Sequence, residues 1–382
     1  MQFQKGIEMF NIYCDNAAQK HLTKSARKVI QTYLMNCHKW GNPSAIHSQG
    51  KSANREIESS RDTIANCINA DRRGIFFTSG STEAINWIMQ TTRRNIICSK
   101  IEHKALYNNA FETDTDKCVY TVPVDKEGLI DLNKLNDLCN DRTLLVIGYV
   151  NNEIGTIQDI EAITKICHAN NTLVFVDATQ AIGNIPIDVQ ALDIDFMCGS
   201  FHKLGGLAGS GFLYCKNPNM LNPLMNGGSQ EGHYRAGTEN LLGIMVGAKV
   251  LEEACWFVFD EKTKEIERKR DIIINRLVNE IPACQLNGSR THRVCNNINI
   301  SFMGIEGQTL VLWLNSYGIY CSTGSACNSK NIEPSYVLKG IGLSDDEARG
   351  AIRLTIDNDL TETDIDNLII TIKTVVNKLR NF

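Results

Sequence analysis

The sequence predicts an α/β protein: a mostly parallel sheet covered by helices on both faces, joined to a smaller α+β unit. Two observations carry this expectation. Short apolar runs at 75–77, 95–98, 144–150, 173–176 and 196–198 alternate with stretches of helical period, and continuous apolar runs suit strands buried on both faces. After Val246-Gly247-Ala248 the character changes, as a charged helical region gives way to 296–302, which alternates polar and apolar like a strand covered on one face.

Along the chain, each apolar run ends in polar residues. Residues 75–77 lead into Thr78-Ser79-Gly80-Ser81-Thr82-Glu83 and then a helical pattern with Ile85, Ile88 and Met89. That turn offers backbone N–H groups and hydroxyls at a helix N-terminus, where the macrodipole favours a phosphate, although the same residues also make an ordinary Ser/Thr cap. The run 95–98 leads into Ile101-Glu102-His103-Lys104, and 144–150 into Asn151-Asn152-Glu153-Ile154-Gly155. The run 173–176 ends in Asp177-Ala178-Thr179-Gln180, and 196–198 in Ser200-Phe201-His202-Lys203 followed by the glycine-rich 205–211.

Ligands of such sheets bind outside the carboxyl ends of the strands, so His103, Asn152, Asp177 and Lys203 are expected to face one crevice. A lysine that can hold an aldehyde and an acid that can pair with a protonated pyridine nitrogen are the means by which proteins tune pyridoxal 5'-phosphate.

Further on, the charges from Glu252 to Asp271 read as the solvated face of a connecting helix. The C-terminus reads as an amphipathic helix: Thr361 and Asp364 suit its first turn, and Ile365, Leu368, Ile369, Ile372, Val375, Val376 and Leu379 form one apolar stripe.

Composition narrows the function classes. The 382 residues suffice for a large domain and a smaller one, and a formal net charge of -4 gives no basic excess to draw nucleic acid. No apolar segment is long enough to span a bilayer and residues 1–8 lack the apolar core of a signal peptide, so a soluble, intracellular and cytoplasmic protein is expected. The 14 cysteines are scattered, without a Cys-x-x-Cys pair or a zinc-like spacing with histidine, which leaves no metal site in prospect. Most are expected to be reduced, buried thiols, with Cys321 packed at a strand end. Cys327 differs, because Ser322-Thr323-Gly324-Ser325-Ala326-Cys327-Asn328-Ser329-Lys330 is a run of small and polar residues that reads as an exposed loop. Access is one of the two things that a reactive thiol needs.

At this point the motifs carry a resemblance. Asp15-Asn16-Ala17-Ala18, Gly41-Asn42-Pro43-Ser44-Ala45-Ile46-His47-Ser48, Thr78-Ser79-Gly80-Ser81-Thr82-Glu83, Val150-Asn151-Asn152-Glu153-Ile154-Gly155, Val176-Asp177-Ala178-Thr179-Gln180, His202-Lys203, Arg235-Ala236-Gly237-Thr238-Glu239-Asn240 and Gly324-Ser325-Ala326-Cys327 occur in the order found in NifS-like cysteine desulfurases. Over nearly its whole length the chain resembles that family. The resemblance implies a fold-type I enzyme dependent on pyridoxal 5'-phosphate, with a seven-stranded sheet in a large domain over 15–250. A small domain would comprise 251–382, completed by 1–14. The implied activity takes sulfur from L-cysteine, leaving alanine and a persulfide on Cys327 for an acceptor or scaffold protein, in iron-sulfur cluster assembly or thiolation.

The resemblance also assigns roles. Lys203 is the Schiff-base lysine and moves the α-proton, Asp177 pairs with the pyridine nitrogen, and His103 stacks on the ring as acid and base. Gln180 and Asn152 bond the ring oxygen and the substrate region, while Ser81, Thr82, Ser200 and His202 hold the phosphate. Thr238 matches a threonine that reaches the phosphate of a neighbouring subunit, which implies a homodimer. Arg353 matches the arginine that pairs with the substrate carboxylate, where a bidentate fork suits the task. The chain departs from the family at Gly206-Leu207-Ala208-Gly209, where Gly-Pro-Lys-Gly is usual, at Gly232, where arginine is common, and at Gln19, where threonine is usual. These changes bear on substrate-loop geometry and partner contacts. Two other readings stay open: a selenocysteine or cysteine lyase or other class V aminotransferase relative, and an inactive binding or scaffold protein of the same fold.

Overall fold

The computed structural model describes residues 10–112, 116–259, 261–324 and 333–381. After the short strand β1 (Ile12–Tyr13), seven strands form one sheet: β2 (Ile75–Thr78), β3 (Asn95–Cys98), β4 (Val119–Thr121), β5 (Thr143–Gly148), β6 (Leu173–Asp177), β7 (Phe196–Ser200) and β8 (Gly211–Cys215). Their order is β2-β8-β7-β6-β5-β3-β4, with β8 antiparallel to both neighbours and every other pair parallel. β4 and β8 were not among the apolar runs read from the sequence, and β8 begins at the end of the glycine-rich stretch.

Both faces of this sheet are covered. Ile97, Leu145, Val174, Val176, Met197 and Phe212 pack into one apolar core, and Ile96, Leu144, Val146, Phe175, Phe196 and Leu213 into another on the opposite side. Alternate residues of a strand point to opposite faces, so a strand between two cores must be apolar throughout. The register then lines up the strand ends: Asp177 stands beside Gly148 on one side and Cys198 on the other, and Gly211 pairs with both Ser200 and Thr78.

A second, antiparallel sheet contains β9 (Cys284–Leu286), β10 (Asn297–Phe302) and β12 (Ala351–Thr355), with β10 central, and β11 (Ile319–Tyr320) runs parallel to β1. The N-terminal segment thus joins this half of the molecule through strand pairing. One continuous helix, Leu241–Phe259, runs through residues 250 and 251, where the sequence reading divides the chain. Among the described residues, no helix is long and apolar enough to cross a membrane.

Two sequence expectations need correction here. β10 is buried on both faces, because its polar residues meet polar partners: Asn297 and Asn299 each donate from Nδ2 to the Glu153 carbonyl at 3.1 Å, and Asn287 donates to Asn299 Oδ1 and Ser301 Oγ at 2.8 Å. Buried polar groups that are hydrogen-bonded imitate a solvated face in sequence. The charged region likewise is not wholly solvated. In the helix Thr263–Glu280, Lys269 and Arg270 are buried, the first donating to the Asn358 carbonyl at 2.8 Å, the second to the carbonyls of Arg293 and Val294 at 3.0 and 2.9 Å. The C-terminal helix Glu362–Arg380 forms as expected, with a capping box between Thr361 and Asp364 and the stripe from Ile365 to Val376 in the core.

Candidate active site

The carboxyl ends of β2, β3, β5, β6 and β7 open into a cavity of about 290 Å³, at the lower edge of the ~300–1,000 Å³ usual for small-molecule sites. Its wall gathers Ser81, Thr82, His103, Asn152, Asp177, Gln180, Ser200, His202, Lys203 and Arg353. Thr238 is exposed and lies outside that wall. Cys327 falls outside the described residues, although Gly324, three residues before it, lines the cavity.

At one end of the cavity is the N-terminus of the helix Ser81–Thr91. Gly80 caps it without a side chain, so Ser81 and Thr82 fill its first two positions and neither hydroxyl caps the helix. The Ser81 N–H donates to Ser200 Oγ at 2.8 Å, and Ser200 Oγ donates to Ser81 Oγ at 2.9 Å. Ser81 Oγ meets Thr179 Oγ1 at 2.5 Å, and Thr179 Oγ1 donates to Asp177 Oδ1 at 2.5 Å. Since Thr179 spends its proton on Asp177, Ser81 must be the donor to Thr179, and the hydroxyl chain runs from Ser200 through Ser81 and Thr179 to the carboxylate.

Backbone packs closely beneath this helix end. A Cβ at position 211 would stand 2.4 Å from the Gly199 carbonyl oxygen and 2.7 Å from Gly80 Cα, so glycine alone lets β8 approach the turn. Hydroxyls, backbone N–H groups and a helix N-terminus together make a cradle for a phosphate.

Asp177 is buried at the end of β6. Besides the Thr179 hydroxyl, its Oδ1 receives the Thr179 N–H at 3.0 Å and the Cys198 thiol at 3.6 Å. All these donors use Oδ1, which leaves Oδ2 able to accept from a protonated ring nitrogen. Lys203 Nζ donates to the carbonyls of Ala17 and Ala18 at 2.7 Å each, and Gln180 Nε2 donates to the Ala17 carbonyl at 3.0 Å. His202 is held neutral, its imidazole lowered to about 4 by burial and then by the neighbouring Lys203.

His103 caps the helix Lys104–Phe111, its Nδ1 accepting the Ala105 N–H at 3.1 Å. An accepting Nδ1 puts the proton of the neutral ring on Nε2. The residue lines the cavity, and desolvation by the protein around it lowers its pKa; Asp177 opposes this while Lys203 and Lys104 add to it.

Next to it, Glu102 is buried, with Ser99 Oγ donating to Oε1 at 2.6 Å and the Gly148 N–H to Oε2 at 2.7 Å. Burial, aided by the negative charge of Asp177 and opposed by these two donors, pushes its carboxyl up to about 7. Glu153, also buried, accepts from Ser335 Oγ at 2.5 Å, and Tyr336 donates to the Glu102 carbonyl at 2.7 Å.

At the other end Arg353, buried on β12, donates from Nη2 to Asp15 Oδ1 at 2.8 Å and from Nη1 to the carbonyls of Asn152 and Gly324 at 2.9 and 3.4 Å. Glu102, Glu153, Thr179 and Asp15 had all stood in quoted motifs without a role of their own, whereas nothing in the sequence marked Tyr336. Among the described residues no cluster is placed to hold a metal ion, and every described cysteine carries a free thiol.

Comparison with known proteins gives this geometry its context. Residues 12–368 match the family Aminotransferase class-V. The chain is 38% identical over 379 residues to the cysteine desulfurase IscS of Methanosarcina thermophila, covering 97% of this chain and 93% of that protein. It is equally, 38%, identical over 381 residues to the IscS of Dictyoglomus turgidum, covering 97% and 95%. A solved NifS-like protein superposes with a TM-score of 0.88 at 32% identity, over 97% of this chain and all (100%) of that one. The chain belongs to the class-V aminotransferase family, among the NifS-like cysteine desulfurases.

Proposed function

We propose that this chain is a cysteine desulfurase that takes sulfur from L-cysteine, releases L-alanine and carries the sulfur as a persulfide on Cys327. The observation that carries the reading is the meeting, in one cavity, of Lys203, the open Oδ2 side of Asp177 and a hydroxyl-lined helix N-terminus, in a chain 38% identical to IscS proteins over 97% of its length. The donor set fits pyridoxal 5'-phosphate: Ser81, Thr82, Ser200 and His202 would hold its phosphate, Asp177 its ring nitrogen, Gln180 its ring oxygen and Lys203 its aldehyde. When bound, the cofactor supplies an electron sink that acidifies the Cα–H bond of an attached amino acid.

The protein's own groups do the rest. Lys203 would move the proton at Cα, and Asp177 would hold a positive charge on the ring nitrogen through Oδ2. Arg353 binds the substrate carboxylate, and Asn152 borders the same end. His103, neutral with its proton on Nε2, would give and recover a proton within the cavity. Cys327 as thiolate attacks the substrate sulfur, so that an S–S bond forms while the C–S bond breaks. Enzyme thiol plus cysteine then gives enzyme persulfide plus alanine, with every atom accounted for.

Assembly belongs to the same proposal. Thr238 lies in a segment tied to the phosphate cradle through Arg235, whose Nε meets Glu83 Oε1 at 2.9 Å, yet its own side chain is exposed. That supports a symmetric dimer in which Thr238 serves the neighbouring subunit. The segregation of the sheets supports a large domain over 15–250 and a small one from 1–14 and 251–382, with a sulfur acceptor or scaffold protein as the final partner.

Cys327→Ser assayed with L-cysteine tests the reading. The variant should keep its cofactor colour, release little alanine and carry no persulfide, and turnover equal to the parent would favour a lyase instead. Borohydride reduction and peptide mapping should place the pyridoxyl label on Lys203.

A further inference from the structure

We propose that Asp15 is a positioning residue for the substrate: it aims the Arg353 guanidinium at the carboxylate of an amino acid and so sets affinity for carboxylate-bearing ligands. The inference rests on the amino-acid reading of the cavity given above. Arg353 lines the cavity wall and Asp15 does not, so Asp15 acts through the arginine.

The hydrogen bonds of Arg353 leave room for one more anion. A guanidinium carries five N–H groups, and three of them go to Asp15 Oδ1, the Asn152 carbonyl and the Gly324 carbonyl. Nε is buried and has no partner among the described residues. One Nη hydrogen also remains, and a carboxylate accepts two parallel bonds from such a fork. Two of the three acceptors present are neutral carbonyls. Of these three acceptors Asp15 alone is charged, so it both fixes the plane of the fork and pairs with a guanidinium that is 2% exposed, while the buried Glu153 carboxyl interacts with the same charge without a hydrogen bond to it among the described residues.

Asp15 is itself held in place. Asn16 Nδ2 donates to the Thr355 carbonyl at 2.8 Å and the Ala17 N–H to Thr355 Oγ1 at 2.9 Å, pinning the turn to β12. On its other side the same turn offers the Ala17 and Ala18 carbonyls to Lys203. The four residues from Asp15 to Ala18 therefore set the spacing between the group that takes the carboxylate and the group that moves the α-proton. Preorganisation of this kind lowers the cost of binding without touching the reacting bonds.

The test uses the holoenzyme and L-alanine, which binds without turnover and is titrated through the cofactor's absorbance, with ethylamine as a ligand that lacks the carboxylate. Asp15→Ala should weaken alanine binding about tenfold and raise KM for L-cysteine similarly, with kcat within about threefold and ethylamine unaffected. Asp15→Asn keeps an acceptor oxygen and should restore alanine affinity to within about threefold of the parent. Unchanged alanine affinity in Asp15→Ala, or an equal loss for ethylamine, overturns the proposal. Should Asp15→Ala fail to fold, Arg353→Ala and the Arg353→Ala/Asp15→Ala pair decide: equal alanine affinity supports it, and a further loss in the double variant overturns it. If the parent binds alanine but releases no sulfur from cysteine, the desulfurase reading fails while the alanine titration still judges Asp15.

Discussion

Asp177 and Ser200 stand at the ends of adjacent strands of one sheet with Ser81 beside them, whereas Arg353 is held by acceptors from three distant stretches, one of them 338 residues away. The first arrangement is specified by strand register and close backbone contact. The second depends on single polar contacts that bridge the two sheets. Added atoms should therefore damage the sheet end most, and lost acceptors the arginine end.

The largest expected effect is at the sheet end. Lys203→Ala should lower alanine release by about 10³-fold or more, since it removes the group proposed to move the α-proton. A variant that kept a tenth of the turnover would break the assignment.

Glu102 provides a pH test. Its folded carboxyl is raised from an ordinary 4.5 to about 7, so between these values the folded protein holds a proton that the unfolded chain has lost. Stability from this group must then fall as pH rises through the window, by about 3 kcal/mol at ~1.4 kcal/mol per pKa unit. Gln at this position can accept from Gly148 and donate to Ser99. Glu102→Gln should match the parent in denaturant melts near pH 4.5 and exceed it by 1–3 kcal/mol, an order-of-magnitude figure, at pH 8. A difference independent of pH would mean that the carboxyl is not titrating where its burial places it.

Two glycines sharpen the contrast. Gly211→Ala sets a Cβ against backbone at 2.4 Å and should cost about 2–3 kcal/mol, while Gly324→Ala meets the end of the Glu153 side chain at 3.0 Å and should cost about 1 kcal/mol despite its φ of 97°. Equal costs in urea unfolding would erase the proposed difference between the two ends. Smallest, Ser200→Ala should loosen cofactor retention on dialysis by about fivefold, the worth of one hydroxyl among several donors.

The same contrast explains what could be read without a structure. His103, Asn152, Asp177 and Lys203 each lie within a few residues of an apolar run, and the rule that ligands sit beyond parallel strand ends placed them together. β8 escaped because glycines hid its start. Arg353 on β12 reads as a surface charge unless its buried partners are known, and no spacing rule links it to Asp15. Glu102 was visible only as a neighbour of His103, since its pinning by Ser99 and Gly148 depends on the alignment of β3 with β5. Asn297, Asn299 and Lys269 looked solvated because buried polar partners leave no trace in local pattern.

The separation of Asp15 from Arg353 also orders events during synthesis. Once β8 has emerged from the ribosome, the strands that end at or just before Ser81, Asp177 and Lys203 can close into a complete sheet. Arg353 follows Lys203 by about 150 residues, roughly 8–30 s at elongation rates of ~5–20 residues per second. For that interval a nascent chain has Lys203 and the hydroxyl-lined helix end but lacks the arginine proposed to take a carboxylate, and Cys327 is added only near its close. The cavity thus matures from one end to the other, and the end proposed to recognise the amino acid is finished last.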